Sequence, residues 1–200
     1  MEALLRNDFT AHYGLPYCAV ADISQTTNAR NFEIEDDENR ETIILFQPYH
    51  GTAVYRNVLS KQMLIINYDK FVTALDVNFQ NRRKRCDLIV CSQNTNDYFL
   101  LNELKDASPR SGRKKAKKQL VESLKDLMNV DTIATFANNF TIRRCCFFNK
   151  RVVSPPIINA GNAFNRISTV VPQGLQLENP IIESYGFELY EYTGGQFFEL

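Results

Sequence analysis

Three charged side chains in the middle of the chain have the types and the spacing of a site that cleaves phosphodiesters. Glu103 and Lys105 stand two positions apart at the end of the apolar run Tyr98–Lys105, so in a strand both side chains point to the same face. Asp87 opens the preceding apolar run. If the two runs pair as an antiparallel hairpin, the Asp87 carboxylate comes to lie beside Glu103 and Lys105.

Two carboxylates at close range repel each other unless a cation lies between them. Mg²⁺ or Mn²⁺ suits such a pair, because a hard divalent ion binds one or two carboxylates, a backbone carbonyl such as that of Leu104, and several waters. A water molecule activated there and held by Lys105 is a nucleophile for a phosphodiester. The competing interpretation is structural: Lys105 forms an ion pair with Asp87 or Glu103 that closes the edge of a sheet.

The apolar pattern predicts the elements that must position these residues. Arg85–Ser92 and Tyr98–Lys105 are predicted as strands joined by a polar turn. An amphipathic helix is predicted over residues 113–128, followed by a strand over Ile142–Phe148. The apolar spacing in residues 55–75 favours a helix over a strand.

On these residues the chain resembles the PD-(D/E)xK nuclease superfamily: Asp87, the triplet Glu103-Leu104-Lys105 on a hairpin, and Gln119 on the following helix. The resemblance covers residues 82 to about 148. It implies an α/β (α+β) fold in which a mixed central β-sheet is flanked by helices, with a restriction-endonuclease-like core. It also implies that the two acids hold the metal, that Lys105 serves the attacking water, and that Gln119 lies near the scissile phosphate.

Many members of this superfamily carry a further glutamate on their first core helix. Glu35, Glu38 and Glu41 are the candidates for that third acidic ligand here, although their acidic stretch has the composition of an exposed loop. The identity of a third ligand therefore stays open at this point.

The net charge is zero, but the charges are unevenly distributed along the chain. Between Arg82 and Lys118 there are eleven basic and four acidic residues, a local excess that suits a polyanion. Phosphate contacts are predicted from the basic helix and the loop before it, by Arg110, Arg113, Lys114, Lys115 and Lys118. On charge alone, a solvated helix face is an equally good interpretation.

Length and composition predict one domain with an appendage. The chain has 200 residues, 44% of them hydrophobic and 23% charged, as in soluble globular proteins. We expect a nuclease-like core over residues 1–150 and a C-terminal appendage over 151–200 packed on the same domain.

No run is long and apolar enough for a membrane span or a signal peptide, so a cytoplasmic location without membrane partners is expected. Five cysteines without a metal-ligand spacing predict reduced, mostly buried thiols.

These features together predict a Mg²⁺- or Mn²⁺-dependent phosphodiesterase acting on nucleic acid, most simply a DNA endonuclease. A chain of this size would use a homodimer or a protein partner for target selection. The alternative is a nuclease-like fold without catalysis that serves as a nucleic-acid-binding or protein-interaction module. A third possibility, a structural subunit that contacts no phosphate, predicts that the basic helix faces solvent away from Asp87, Glu103 and Lys105.

Overall fold

The structure is a computed structural model that describes residues 1–36, 42–45, 51–81, 83–105, 110–149, 174–194 and 196–200. The strands are β1 Ser24–Thr27, β2 Asn31–Asp36, β3 Thr42–Leu45, β4 Ala53–Arg56, β5 Met63–Asn67, β6 Leu88–Ser92, β7 Tyr98–Lys105, β8 Ile142–Asn149, β9 Leu175–Leu177, β10 Glu188–Tyr192 and β11 Phe198–Glu199. The helices are α1 (π-helical Leu4–Phe9 continued by α-helical Thr10–His12), α2 Tyr68–Thr73, α3 Val77–Gln80, α4 Arg110–Met128, α5 Asp131–Asn138 and α6 Pro180–Ser184.

A seven-stranded central sheet organises the chain, with strand order β1-β5-β6-β7-β8-β10-β9. Neighbours from β1 to β7 are antiparallel, β7, β8 and β10 run parallel, and β9 is antiparallel to β10. Strands β5 and β6 are buried along their whole length. Their unbroken apolar runs fit this position, since a strand covered on both faces needs no polar alternation.

The two faces of the central sheet are covered differently. Phe99 and Leu101 of β7 point into a core beneath the helices, which we call the helix-side core; it includes Leu120 of α4. Leu100 and Leu104 point into a second core, which we call the sheet-side core. A four-stranded sheet with the order β11-β4-β2-β3 closes that second core.

The coarse prediction of the fold is confirmed, because the described chain is mixed α/β with a large mixed central sheet flanked by helices. The hairpin is confirmed as well: β7 has the predicted bounds, and Leu88 pairs with Asn102. The first hairpin strand begins at Leu88 rather than at Arg85, which leaves Asp87 just before the strand.

The helix favoured for residues 55–75 is wrong. This segment forms the end of β4, then β5, and only then α2. The error has a physical reason: β5 is buried on both faces, so its apolar residues follow no period of two that would indicate a strand.

Residues 174–200 take part in both sheets. β9 and β10 extend the central sheet beyond β8, and β11 pairs with β4 in the second sheet. The five cysteines are buried free thiols, as predicted. Within the described ranges, no helix has the length and apolar character needed to cross a membrane.

Candidate active site

Backbone hydrogen bonds hold Asp87 at the open end of the hairpin. Its N–H donates to the Asn102 carbonyl at 3.0 Å, and its carbonyl accepts the N–H groups of Tyr68 and Asp69 at 2.9 and 3.2 Å. Its side-chain Oδ2 accepts the N–H of Leu104 at 2.6 Å. The Asp87 carboxylate is thereby tied to the middle residue of the predicted triplet.

Glu103 is the most constrained charged residue of the site. Its side chain is 0% exposed, and Lys105 Nζ forms an ion pair with its Oε1. Within the part of the chain that the structure describes, neither carboxylate oxygen accepts a hydrogen bond of normal geometry. Burial and the nearby charge of Asp87 raise the pKa of Glu103 from 4.5 to about 9, against the opposing effects of Lys105 and Lys115. The site therefore contains a buried acid whose ionised form is disfavoured by burial and by Asp87, although it pairs with Lys105.

Helix α4 packs against the same end of the hairpin. Gln119 Nε2 donates to the Arg85 carbonyl at 2.9 Å, while its buried Oε1 accepts no hydrogen bond from the described residues. One turn further on, Ser123 Oγ accepts the N–H of Cys86 at 2.7 Å. The structure thus brings Gln119 to the chain segment that precedes Asp87.

A third acidic ligand is not found among the described residues. No group of three or more His, Cys, Asp or Glu side chains in this part of the chain could hold a metal ion. Glu35 lies on β2, in the sheet that covers the opposite face of the central sheet from Glu103. The exposed loop expected around Glu35 is therefore wrong, and Glu38 and Glu41 lie outside the described residues.

The predicted phosphate-binding residues lie in the first half of α4. Three of them are exposed lysines: Lys114, Lys115 and Lys118. Arg113 is also exposed, but its guanidinium pairs with Glu191 of β10 at 2.6 Å. The side chain of Arg110 lies outside the described residues. The charge of Lys115 makes a minor contribution that lowers the pKa of Glu103.

Two polar residues at this end of the sheet were missed by the sequence analysis. Asn149 ends β8 and Glu191 lies on β10, and both are buried. Their side chains meet, with Asn149 Nδ2 donating to Glu191 Oε1 at 3.4 Å. The available signal was the one used for Glu103: Glu191 stands two positions after Leu189, on the apolar face of a strand.

The carboxylate pair fits a hard divalent cation. Among the described residues, Glu103 Oε2 accepts no hydrogen bond and Oε1 contacts only Lys105 Nζ, and a second carboxylate, Asp87, acts on Glu103 electrostatically. Mg²⁺ needs no more than one or two carboxylates, since it retains several of its own waters. Asp87 and Glu103 would hold the ion, with the carbonyl of Leu104 as the predicted third ligand.

Comparison of the chain with models of known protein families, with curated proteins and with solved structures returns no match.

Proposed function

We propose that the chain is a divalent-metal-dependent phosphodiesterase acting on nucleic acid, a DNA endonuclease of the PD-(D/E)xK type on a restriction-endonuclease-like core. One observation carries the proposal: the buried carboxylate of Glu103, whose Oε1 pairs with Lys105 and whose Oε2 accepts no hydrogen bond from the described residues, lies next to Asp87. A structural ion pair requires one acid for one lysine, and it gives no reason to place a second acid there.

Each residue of the site has a separate task in this proposal. Asp87 and Glu103 hold Mg²⁺ or Mn²⁺, which when bound supplies positive charge for the phosphoryl oxygens and lowers the pKa of water. Lys105, which pairs with Glu103 in this structure, would orient the attacking water. Gln119, fixed to the Arg85 carbonyl, presents its buried Oε1 as an acceptor toward the same end of the hairpin.

The surrounding charge supports a polyanionic substrate. The exposed lysines of the first half of α4 lie on the helix that covers the carboxylates, and Lys115 acts electrostatically on Glu103. Phosphate contacts from such residues position a nucleic acid without reading its sequence.

A second candidate function is a nuclease-like fold that binds nucleic acid or protein without catalysis. Two observations favour it: among the described residues only two carboxylates converge, and Lys105 already forms an ion pair with one of them. In that case Lys105 closes the site as a structural cation.

Cleavage of supercoiled plasmid and of single-stranded DNA in Mg²⁺ or Mn²⁺ tests the proposal. The wild type is compared with Glu103→Ala and Lys105→Ala, and with Lys125→Ala as a control on α4 that removes an exposed lysine paired with Glu122. We expect metal-dependent cleavage by the wild type and the control, and its loss in both site variants. DNA binding without cleavage by any form would instead support the second candidate.

A further inference from the structure

The parallel strands of the central sheet align Glu191 with Glu103. Glu103 of β7 is the register partner of Phe147 of β8, and Phe147 is the register partner of Glu191 of β10. The two glutamates therefore lie in one row on the helix side of the sheet, two strand spacings or roughly 10 Å apart. Lys105 and Asn149 pair in the next row toward the carboxyl ends of the strands.

Glu191 holds the guanidinium of Arg113 in a two-point contact. Nε of Arg113 donates to Oε1 at 3.1 Å, and Nη2 lies 2.6 Å from Oε2. Asn149 Nδ2 donates to the same Oε1, which fixes the carboxylate from the sheet below. The side chain of Glu191 is 5% exposed and that of Arg113 is 53% exposed, so the pair presents an oriented guanidinium at the surface.

Contacts with the described residues leave part of the binding capacity of the guanidinium unused. Arginine has five N–H donors in a planar fork; Nε donates to Oε1 of Glu191, and Nη2 makes an ion-pair contact with Oε2. The remaining donors of an arginine oriented in this way match the oxygens of a phosphate, which arginine binds in a bidentate manner. Because its partner carboxylate is buried, the guanidinium is already ordered before an anion arrives.

We propose that Arg113, positioned by Glu191 and Asn149, binds the phosphate next to the one that is cleaved at Glu103. The substrate is then a polynucleotide strand that crosses the carboxyl ends of β7, β8 and β10, rather than a mononucleotide or another small phosphodiester. This inference rests on the proposed function for the position of the cleaved bond. The binding step itself can be measured without cleavage.

Replacement of Glu191 changes DNA affinity in opposite directions, depending on whether Glu191 positions Arg113 or only adds negative charge to the site. Glu191→Gln removes a negative charge beside a polyanion site, so electrostatics alone predicts tighter DNA binding. If Glu191 orients Arg113, the same change weakens binding. The matched control is Glu188→Gln, which removes the same charge from the same strand, where Glu188 pairs with Arg144.

The measurement is the fluorescence anisotropy of labelled single-stranded and duplex DNA in EDTA, as a function of salt. We expect Glu191→Gln to raise the dissociation constant about tenfold, the scale of one charge-assisted contact, with Glu188→Gln unchanged or slightly tighter. If Glu191→Gln binds DNA more tightly than the wild type, by as much as Glu188→Gln does, the inference is overturned. Absence of DNA binding by the wild type would overturn it as well.

A double variant removes both partners of the Arg113–Glu191 pair, so that neither charge is left without its counter-charge. Arg113→Gln combined with Glu191→Gln leaves the net charge unchanged, and thermal unfolding verifies its fold. We expect weaker DNA binding and a salt slope of the affinity reduced by about 0.7 to 0.9, the share of one phosphate contact. An affinity and a slope equal to those of the wild type would contradict the inference.

Failure of this inference is distinguishable from failure of the proposed function. Hydrolysis of bis(4-nitrophenyl) phosphate, which has a single phosphate, by the wild type and not by Glu103→Ala tests the proposed function alone. Hydrolysis of this compound combined with tighter DNA binding by Glu191→Gln would retain the proposed function and remove the role of Arg113.

Discussion

At the scale of single residues, the unusual feature is an acid whose pKa burial raises although a lysine pairs with it. Glu103 is fully buried next to Asp87, and these two effects raise its pKa to about 9 despite the lysine beside it. A metal ion and a proton then compete for the same carboxylate, because a ligand carboxylate must be ionised. In the proposed function, a bound cation would take the place of that proton.

The stability of the metal-free chain should reflect this competition. Folding raises the pKa of Glu103 from 4.5 to about 9, so the folded state binds this proton more tightly than the unfolded state does. The resulting contribution to the free energy of unfolding is complete below about pH 4.5 and is lost as the pH rises to about 9. The side chain of the Glu103→Gln variant cannot lose a proton. The free energy of unfolding of the variant minus that of the wild type should therefore increase with pH in this window, by at most about 1.4 kcal/mol per pH unit. Urea unfolding of both proteins in EDTA from pH 5 to 9 measures the difference. A difference that does not change with pH would refute the raised pKa.

Added Mg²⁺ provides the control for that experiment. A ligand that binds only the folded state stabilises it in proportion to the logarithm of its concentration. Mg²⁺ should therefore stabilise the wild type at pH 8 and leave Glu103→Gln almost unaffected.

At the scale of elements, the hairpin β6–β7 and helix α4 form the site together. Ser123 Oγ accepts the N–H of Cys86, and Gln119 Nε2 donates to the Arg85 carbonyl, so α4 fixes the segment that leads into Asp87. Both contacts are made by polar residues on a helix that otherwise packs through its apolar stripe. They determine where the Asp87 carboxylate lies relative to Glu103.

Removal of the Ser123 hydroxyl should affect both stability and metal binding. Ser123→Ala leaves the N–H of the buried residue Cys86 without its acceptor, at a cost of about 1–3 kcal/mol in the free energy of unfolding. Because the segment before Asp87 is then free to shift, Mg²⁺ affinity should fall as well. Urea unfolding and calorimetric Mg²⁺ titration measure the two effects. Ser184→Ala is the control, since the Ser184 hydroxyl donates to a carbonyl of its own helix at the surface. Loss of stability with unchanged Mg²⁺ affinity would contradict the positioning role.

The elements that the sequence analysis identified are specified by patterns among residues that are close together in the sequence. α4 shows a clear period of 3.6, the apolar run of β7 is bounded by a polar turn, and the charged pair at the end of that run indicates Glu103 and Lys105 directly. The row containing Glu191 depends instead on the parallel pairing of β8 with β10, strands about forty residues apart in the chain. The second sheet depends likewise on long-range pairing, as between β4 and β11, and no local pattern specifies it.

At the scale of the whole molecule, the second sheet supports the hairpin from behind. Tyr55 Oη of β4 donates to the Asn102 Oδ1 at 2.9 Å, and Asn102 directly precedes Glu103 on β7. Phe198 of β11 packs its ring against Tyr55, Tyr98 and Tyr192, so the end of the chain closes the sheet-side core. The central sheet and the second sheet should therefore unfold as one cooperative unit.

Substitution of two adjacent phenylalanines, Phe197 and Phe198, tests whether the two sheets unfold cooperatively. Phe198 is buried in the sheet-side core, whereas Phe197 is half-buried and stacks on Arg56. Phe198→Ala should lower the free energy of unfolding by about 3–5 kcal/mol and Phe197→Ala by about 1 kcal/mol, with a single transition in both cases. Chemical denaturation followed by circular dichroism and by tyrosine fluorescence measures both quantities. Equal effects of the two variants, or two separate transitions, would contradict a single unit.

The central claim, that Asp87 and Glu103 form a divalent-cation site, is tested most directly by Mn²⁺ titration monitored by electron paramagnetic resonance. The account predicts that the wild type binds Mn²⁺ and that binding strengthens as the pH rises toward about 9, since Glu103 must lose its proton. Asp87→Asn and Glu103→Gln should each weaken binding about tenfold or more, whereas Glu188→Gln should bind as the wild type does. Absence of Mn²⁺ binding by the wild type, or equal affinity in all four proteins, would contradict the account.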